Sequence, residues 1–328
     1  MRPFDYARPT DIGGALALMS RPGTVPLGGG TNLVDLMKLG VARPSALVDI
    51  THLGLDAVEA MPDGGLRIGA GVRNSDLAAD RLVRERFPVL SMALLSAASG
   101  QLRNMATVGG NLLQRTRCLA FMDPSKACNK REPGTGCSAI EGISRDLAVL
   151  GTSALCVATA PGDMAVALAA LAAIVHFETV DGPGSLSVDA FYRLPGEHPE
   201  RDTELPAGAL ITAVELPGLP FAAISTYRKA RDRASYAFAL VSVAAALDVQ
   251  DGVVRDVRLA LGGVAHKPWR ARAAEDVLRG APATAEVFGR AADAELAAAT
   301  PLADNAFKVP LARRLVLSTL SELVGRSA

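Results

Sequence analysis

All four cysteines of this 328-residue chain, Cys118, Cys128, Cys137 and Cys156, fall inside one short stretch, and the rest of the polypeptide has none. Outside that stretch the fold must rest on ordinary hydrophobic burial, and the length suffices for two or three domains, each with its own core. A cluster this tight reads as a ligand set or a local staple. Its spacing, C-x9-C-x8-C-x18-C, lacks the paired C-x2-C knuckles of structural zinc sites and the compact ferredoxin run. On spacing alone, disulfides, zinc and iron-sulfur all stay open.

Charge and hydropathy exclude several classes. Lys+Arg 34 against Asp+Glu 34 gives zero formal net charge, which argues against a general nucleic-acid or membrane-surface binder. The longest apolar stretch, 147–177, is broken by Pro161-Gly162-Asp163 into arms shorter than the ~20 residues a membrane helix needs. At the N-terminus, Asp5, Asp11 and two prolines stand where a secretory signal requires an unbroken apolar run, so no export signal of the chain's own is expected.

Short β-type runs (TVPLG, ALVDI, LRIGAGV) alternate in the first half with helix-like segments (NLVDLMKLG, then the long LVRERFPVLSMALLSAA), a mixed α/β pattern. From about Leu210 the pattern changes to ALITAVELP, AAISTYRKA, LVSVAAALDVQ and VVRDVRLALGG, the last two joined at Asp251-Gly252, a hairpin signal. The tail, from KPWRARAAEDVLRG onward, reads as helical, with Pro310 suited to a first turn and Leu315, Val316, Leu320 and Leu323 on one face. A boundary is expected at Pro217-Gly218-Leu219-Pro220, and 194–208 reads as an exposed loop.

Two glycine-rich turns carry the chemistry. Leu27-Gly28-Gly29-Gly30-Thr31-Asn32-Leu33 lies between a strand-like and a helix-like run, where glycines let backbone N–H groups approach a phosphate. It is neither a GxGxxG fingerprint nor a Walker loop. The second, Arg103 to Asn111, includes Thr107, Gly110 and Asn111. Either alone reads as a tight turn; the pair can clasp an extended dinucleotide from two sides.

With these in hand the chain resembles the FAD-binding subunits of molybdenum hydroxylases, the xanthine dehydrogenase and carbon monoxide dehydrogenase group. The resemblance runs nearly end to end, through FDYARPTDIGGALALM, PLGGGTNLVDLMK, LRIGAGV, LRNMATVGGN, PGDMAVALAAL, YRKARDRASYAFALVSVAAAL and LALGGVAHKPWRARAAEDVL. It implies an α+β chain: a two-lobed FAD-binding fold of the vanillyl-alcohol-oxidase (PCMH) type over 1–218 (lobes about 1–55 and 56–218), then an α+β domain over 219–328 with a β-hairpin and helices. It also implies that Leu27 to Leu33 wrap the pyrophosphate, that Thr107, Gly110 and Asn111 form a second phosphate and ribityl loop, and that Asp163 bonds the flavin's sugar-alcohol chain. Lys229 would lie near the flavin, with Arg228 an equal alternative. Without the resemblance, Asp163 reads as a helix N-cap and Lys229 as an exposed strand lysine.

Most members of that family run from the GGN loop into the Ser-Asp motif within a few residues, whereas here Asn111 and Asp163 bracket an insertion at about 112–162. A small positive excess within it, together with the amides of the Pro133-Gly134-Thr135-Gly136 turn, would favour an anionic 4Fe-4S cluster. The resemblance goes further. The insert looks like the one in three-subunit aldehyde oxidoreductases, which implies that Cys118, Cys128, Cys137 and Cys156 ligate a 4Fe-4S cluster.

The implied function is electron transfer. A large molybdenum-pterin subunit would oxidise an aldehyde, a small subunit with 2Fe-2S clusters would relay electrons, and this chain would pass them through FAD to an external acceptor, all within a heterotrimer or its multiple. An FAD and 4Fe-4S subunit of a hydroxybenzoyl-CoA reductase is the alternative, and a structural zinc or disulfide protein without flavin is the alternative of another class. The compartment would be cytoplasmic, or periplasmic by co-export on a partner's twin-arginine signal. His52, His176, His198 and His266 show no metal spacing, and Trp269 is expected to pack the C-terminal domain or an interface rather than stack on flavin.

Overall fold

The computed structural model describes residues 1–327, and its strands fall into three sheets. Strands β1 (Asp5–Ala7), β2 (Thr24–Leu27) and β3 (Ala46–Asp49) pair in parallel in the order β1-β3-β2. Parallel neighbours need crossovers, which here carry the helices Ile12–Met19 and Leu33–Lys38. Asp11 caps the first of these by accepting the Gly14 N–H at 2.7 Å.

Strands β4 (Val58–Ala60), β5 (Leu66–Gly69), β6 (Ile174–Thr179), β7 (Gly182–Ser187) and β8 (Leu210–Leu216) form an antiparallel sheet, ordered β4-β5-β8-β6-β7. The third sheet is also antiparallel: β9 (Ser225–Ala230), β10 (Val241–Gln250), β11 (Val253–Gly262) and β12 (Trp269–Arg270), ordered β12-β11-β10-β9. Asp251 and Gly252 join β10 to β11 with φ of 53° and 73°, the left-handed backbone that a two-residue hairpin loop demands.

Both faces of the third sheet are buried, which is why LVSVAAAL shows no polar alternation. Tyr227, Ala244 and Ala260 join the core that holds Met164, Leu168, Leu90 and Leu94 from the helices Asp163–Ala170 and Pro88–Ser96. Val243, Ala245, Leu247, Leu259 and Leu261 face the other way, onto Val316, Leu320 and Leu323 of the helix Lys308–Ser327. Pro310 lies in the first turn of that helix as expected, while Leu315 is only partly buried. Trp269 packs on this second core and donates to Glu295 at 2.7 Å.

Three expectations need correction. The long segment at 82–98 holds two helices, Arg81–Arg86 and Pro88–Ser96, because Pro88 has no N–H to continue the first and opens the second. The helical tail is preceded by an edge strand, with Trp269 and Arg270 pairing to Leu261 and Ala260. The 194–208 loop is not simply exposed: Pro199 is buried, and Asp202 anchors the cysteine-rich insertion. No helix among the described residues is long and apolar enough to cross a membrane.

Candidate functional site

A cleft of about 680 Å³ opens between the two glycine-rich loops, the helix Asp163–Ala170 and the β9–β10 loop. That is within the range of sites holding large small-molecule ligands. Gly29, Gly30, Thr31, Asn32, Gly110, Asn111, Asp163 and Lys229 all line it; Leu27, Gly28, Leu33 and Thr107 do not. The backbone N–H groups of Gly29, Gly30, Thr31 and Asn32 have no acceptor among the described residues. Four successive free donors form a concavity suited to an anion. Lys38, Arg103 and Arg233 add positive charge around the walls, where Arg117 is paired with Asp35.

The glycines in these loops do different jobs. A Cβ on Gly29 would lie 1.8 Å from the Met105 carbonyl oxygen, and one on Gly28 would lie 2.8 Å from Thr107 Oγ1. Both are small because the second loop packs against the first, so Gly28 holds the clasp together without facing the cleft. A Cβ on Gly110 would meet only Thr107 Oγ1, at 3.0 Å. Thr107 caps the short helix Val108–Leu112 by accepting the Gly110 N–H at 3.2 Å, which explains its place behind the wall.

Asp163 is the first residue of its helix, whose N-cap is Gly162, so the simple capping reading of Asp163 is not what the backbone adopts. Its carboxylate instead accepts from Tyr227 Oη at 2.6 Å and from Lys229 Nζ at 2.8 Å. The pair is fully desolvated, at 4% and 3% side-chain exposure. Burial pushes the Asp163 carboxyl upward, opposed first by the Lys229 charge and then by the hydrogen bonds from Lys229 and Tyr227. Lys229 also donates to the Ser96 carbonyl at 3.2 Å, the C-terminus of the helix Pro88–Ser96. It is therefore not an exposed strand lysine. Strand alternation decides between the two cations: Arg228, one residue away, turns to Ser318 at 3.2 Å and Glu322 at 3.6 Å on the far side of the sheet.

All four cysteines are thiols, with Cys128 and Cys156 buried and Cys118 and Cys137 half-buried. Cys128 and Cys137 face one another across an isolated antiparallel bridge. Burial pushes the Cys118 thiol up, the N–H groups of Phe121 and Ala120 oppose this at its sulfur, and Cys128 and Cys137 add to it. Cys156 is pushed up to about 11 by burial, opposed by the Ala158 N–H and Lys130, with Cys137 and Cys118 again raising it. The four sulfurs thus share one electrostatic neighbourhood. Among the described residues, no group of three or more His, Cys, Asp and Glu stands where it could hold a metal ion.

Residues that the motifs did not single out hold this region in place. Asn129 accepts the Gly136 N–H at 2.8 Å and donates to the Leu155 carbonyl at 3.1 Å, tying the hairpin of Cys128 and Cys137 to the strip bearing Cys156. Arg131 donates to the carbonyls of Ala120 and Phe121 at 2.7 and 2.9 Å, tying in Cys118. Asp202 gathers Arg115 at 2.5 Å, the buried Lys130, and His266 at 3.6 Å.

Two expectations about the insertion are corrected here. Its basic excess is offset from outside it, since Arg115 and Lys130 meet Asp202, Arg117 meets Asp35 at 2.5 Å, and Arg145 meets Asp232 at 2.6 Å. The Thr135 and Gly136 amides are used within their own turn, by the Glu132 carbonyl and by Asn129. The N–H groups of Ala120, Phe121 and Ala158 serve the sulfurs instead.

Comparison with known proteins agrees with this geometry. A family model described as the FAD binding domain in molybdopterin dehydrogenase matches residues 2–219, and one described as the CO dehydrogenase flavoprotein C-terminal domain matches 225–323. The chain is 52% identical over 325 residues, 98% of both chains, to the aldehyde oxidoreductase FAD-binding subunit of Escherichia coli. It is 28% identical to the glyceraldehyde dehydrogenase medium chain of Sulfolobus acidocaldarius, over 83% of this chain and 79% of that one. In fold it is similar to a chain of carbon monoxide dehydrogenase from Hydrogenophaga pseudoflava, with a TM-score of 0.78 at 24% identity over 100% and 99% of the two chains. The same holds for a chain of quinoline 2-oxidoreductase from Pseudomonas putida, at 0.77 and 22% over 99% and 98%. The chain belongs to the FAD-binding medium subunits of the molybdenum hydroxylases, an oxidoreductase family.

Proposed function

We propose that this chain is the FAD- and 4Fe-4S-carrying electron-transfer subunit of an aldehyde-oxidising molybdenum enzyme. Its partners in this reading are a large molybdenum-pterin subunit and a small subunit with 2Fe-2S clusters. The observation that carries the flavin half is the row of free N–H groups from Gly29 to Asn32 along a cleft that Asp163 and Lys229 also line. The substrate class rests on the 52% identity to the aldehyde oxidoreductase subunit.

When bound, FAD supplies exchange between one-electron and two-electron transfer. The protein supplies position and charge. The Gly29 to Asn32 amides would hold the pyrophosphate, Gly110 and Asn111 would close on it from the opposite loop, and the Asp163–Lys229 pair would fix the sugar-alcohol chain. Lys229, tethered to the Ser96 carbonyl, offsets with its charge and hydrogen bond part of the rise that burial imposes on the Asp163 carboxyl.

The residues present also fit a cluster. The four thiols, two buried and two half-buried, share one electrostatic neighbourhood, and main-chain N–H groups already address the sulfurs of Cys118 and Cys156. A cubane spreads its thiolates over four irons, a wider arrangement than convergence on one ion. Burial raises the Cys118 and Cys156 thiols, so loading releases protons there and is favoured by rising pH. The division into 1–218 and 219–328 is part of the same proposal, supported by the break between β8 and β9 and by the two family models, which end at 219 and begin at 225.

The test is reduction by substrate. Adding an aldehyde anaerobically to the purified complex should bleach the flavin absorption, and an excess of an artificial acceptor should restore it. A flavin spectrum indifferent to every aldehyde tried, yet reduced by dithionite, would exclude the aldehyde-oxidising role. Whether the small partner carries a twin-arginine signal determines the compartment.

A further inference from the structure

Asn74 belongs to neither glycine loop and to no cysteine motif, yet it leaves a polar group unsatisfied inside the cleft wall. It opens the helix Asn74–Ala79, is 3% exposed, and lines the cleft. Its backbone N–H donates to the Ala106 carbonyl at 2.9 Å, which fixes it against the second glycine loop. Its carboxamide oxygen is sealed from water and has no partner among the described residues. Buried acceptors are nearly always paired, so an orphan beside a ligand cleft points to the ligand.

The chemistry narrows what that partner can be. A carboxamide oxygen only accepts, and an ionised phosphate also only accepts, so the pyrophosphate cannot satisfy it. An O–H or N–H donor can. Asn32 presents the complementary case: its Oδ1 accepts the Arg115 N–H at 3.1 Å, which assigns the unpartnered Nδ2 as a donor. Phosphate oxygens suit that nitrogen.

We propose that Asn74 is a ligand-binding residue of the cleft, accepting a hydrogen bond from a sugar hydroxyl or a ring N–H of the bound dinucleotide, with Asn32 donating to a phosphate oxygen. This rests on the reading of the cleft as the FAD site. The terminal torsion of asparagine is broad and roughly two-fold, so the carboxamide can turn Oδ1 to the cleft without moving the helix.

The experiment uses the complete complex, stripped of flavin and titrated with FAD, with Asn74→Leu as the near-isosteric apolar variant and Asn74→Ala beside it as one that cannot clash. The flavin-free variants should melt at or above the temperature of the unaltered flavin-free complex, because an unpaired buried acceptor has been removed. Their FAD dissociation constants should rise about tenfold. Equal losses of melting temperature with and without FAD would make Asn74 a structural residue and overturn the assignment, as would unchanged FAD affinity in both variants. If the unaltered complex itself takes up no FAD, the reading of the cleft fails instead.

Discussion

Two glycine-to-alanine substitutions separate the clasp from the cleft. At Gly29 the added Cβ would lie 1.8 Å from the Met105 carbonyl oxygen, 2.5 Å from the Met105 carbonyl carbon and 3.0 Å from the Ala106 nitrogen. All three are backbone atoms, so no side chain can swing aside and the two loops must part. Overpacking typically costs ~1–3 kcal/mol, and a rigid main-chain contact belongs at the upper end. At about 3 kcal/mol, the melting temperature of the flavin-free protein should fall by roughly 6–12 °C. Gly110→Ala is the opposite case. Its Cβ meets one atom, Thr107 Oγ1 at 3.0 Å, inside a short helix where alanine outdoes glycine by ~0.5–1 kcal/mol. The flavin-free Gly110→Ala protein should melt unchanged or slightly higher while retaining less FAD after dialysis, because the methyl stands on a cleft-lining residue. The assay is thermal melting with and without FAD, alongside bound-flavin absorbance. If Gly29→Ala leaves the flavin-free melting temperature unaltered, the loop-on-loop role of Gly29 is wrong.

Three further outcomes are expected. Lys229→Met strands the Asp163 carboxylate in a desolvated site and should cost ~3–5 kcal/mol in urea denaturation, most of it recovered in the Lys229→Met, Asp163→Asn double variant; additive losses would contradict pairing as the cause. Asp202→Asn removes the anion that gathers Arg115, Lys130 and His266, and limited trypsin digestion should then cut within 112–162 faster than in the unaltered chain; an unchanged digestion rate would remove Asp202 as the anchor. Burial lowers Lys308 from its ordinary 10.5 to about 8, so between those values the unfolded chain holds a proton that the folded one has released. Stability contributed through this group therefore rises with pH from about 8 towards 10.5. Lys308→Met should flatten the melting temperature over that window, and an identical slope in the variant would count against it.

Legibility in the sequence followed the range of the interactions. The Asp251-Gly252 hairpin and the turn at Gly30 are local, since each needs a left-handed backbone that only a few residue types adopt, and the motifs exposed them directly. The side of β9 that Lys229 occupies is also local in principle, because alternation places Tyr227 and Lys229 together and Arg228 opposite. What stayed hidden is long-range. Tyr227 reaches Asp163 across 64 residues, and Lys130 reaches Asp202 across 72, so nothing in either neighbourhood signals the partner. Counting charges within the insertion overstated its positive character for the same reason, since Asp35, Asp202 and Asp232 offset it from distant segments. The glycine at 29 was legible as a glycine, but its reason, a neighbouring main chain from 76 residues away, was not.

The most direct test is joint iron and flavin analysis of the purified complex, with the unaltered chain and with Cys156→Ser. The expected result is FAD in stoichiometric amount and about four irons beyond those of the partner's 2Fe-2S clusters, with Cys156→Ser losing that excess while FAD remains. Zinc in place of the excess iron, or no FAD in the unaltered complex, would contradict the reading.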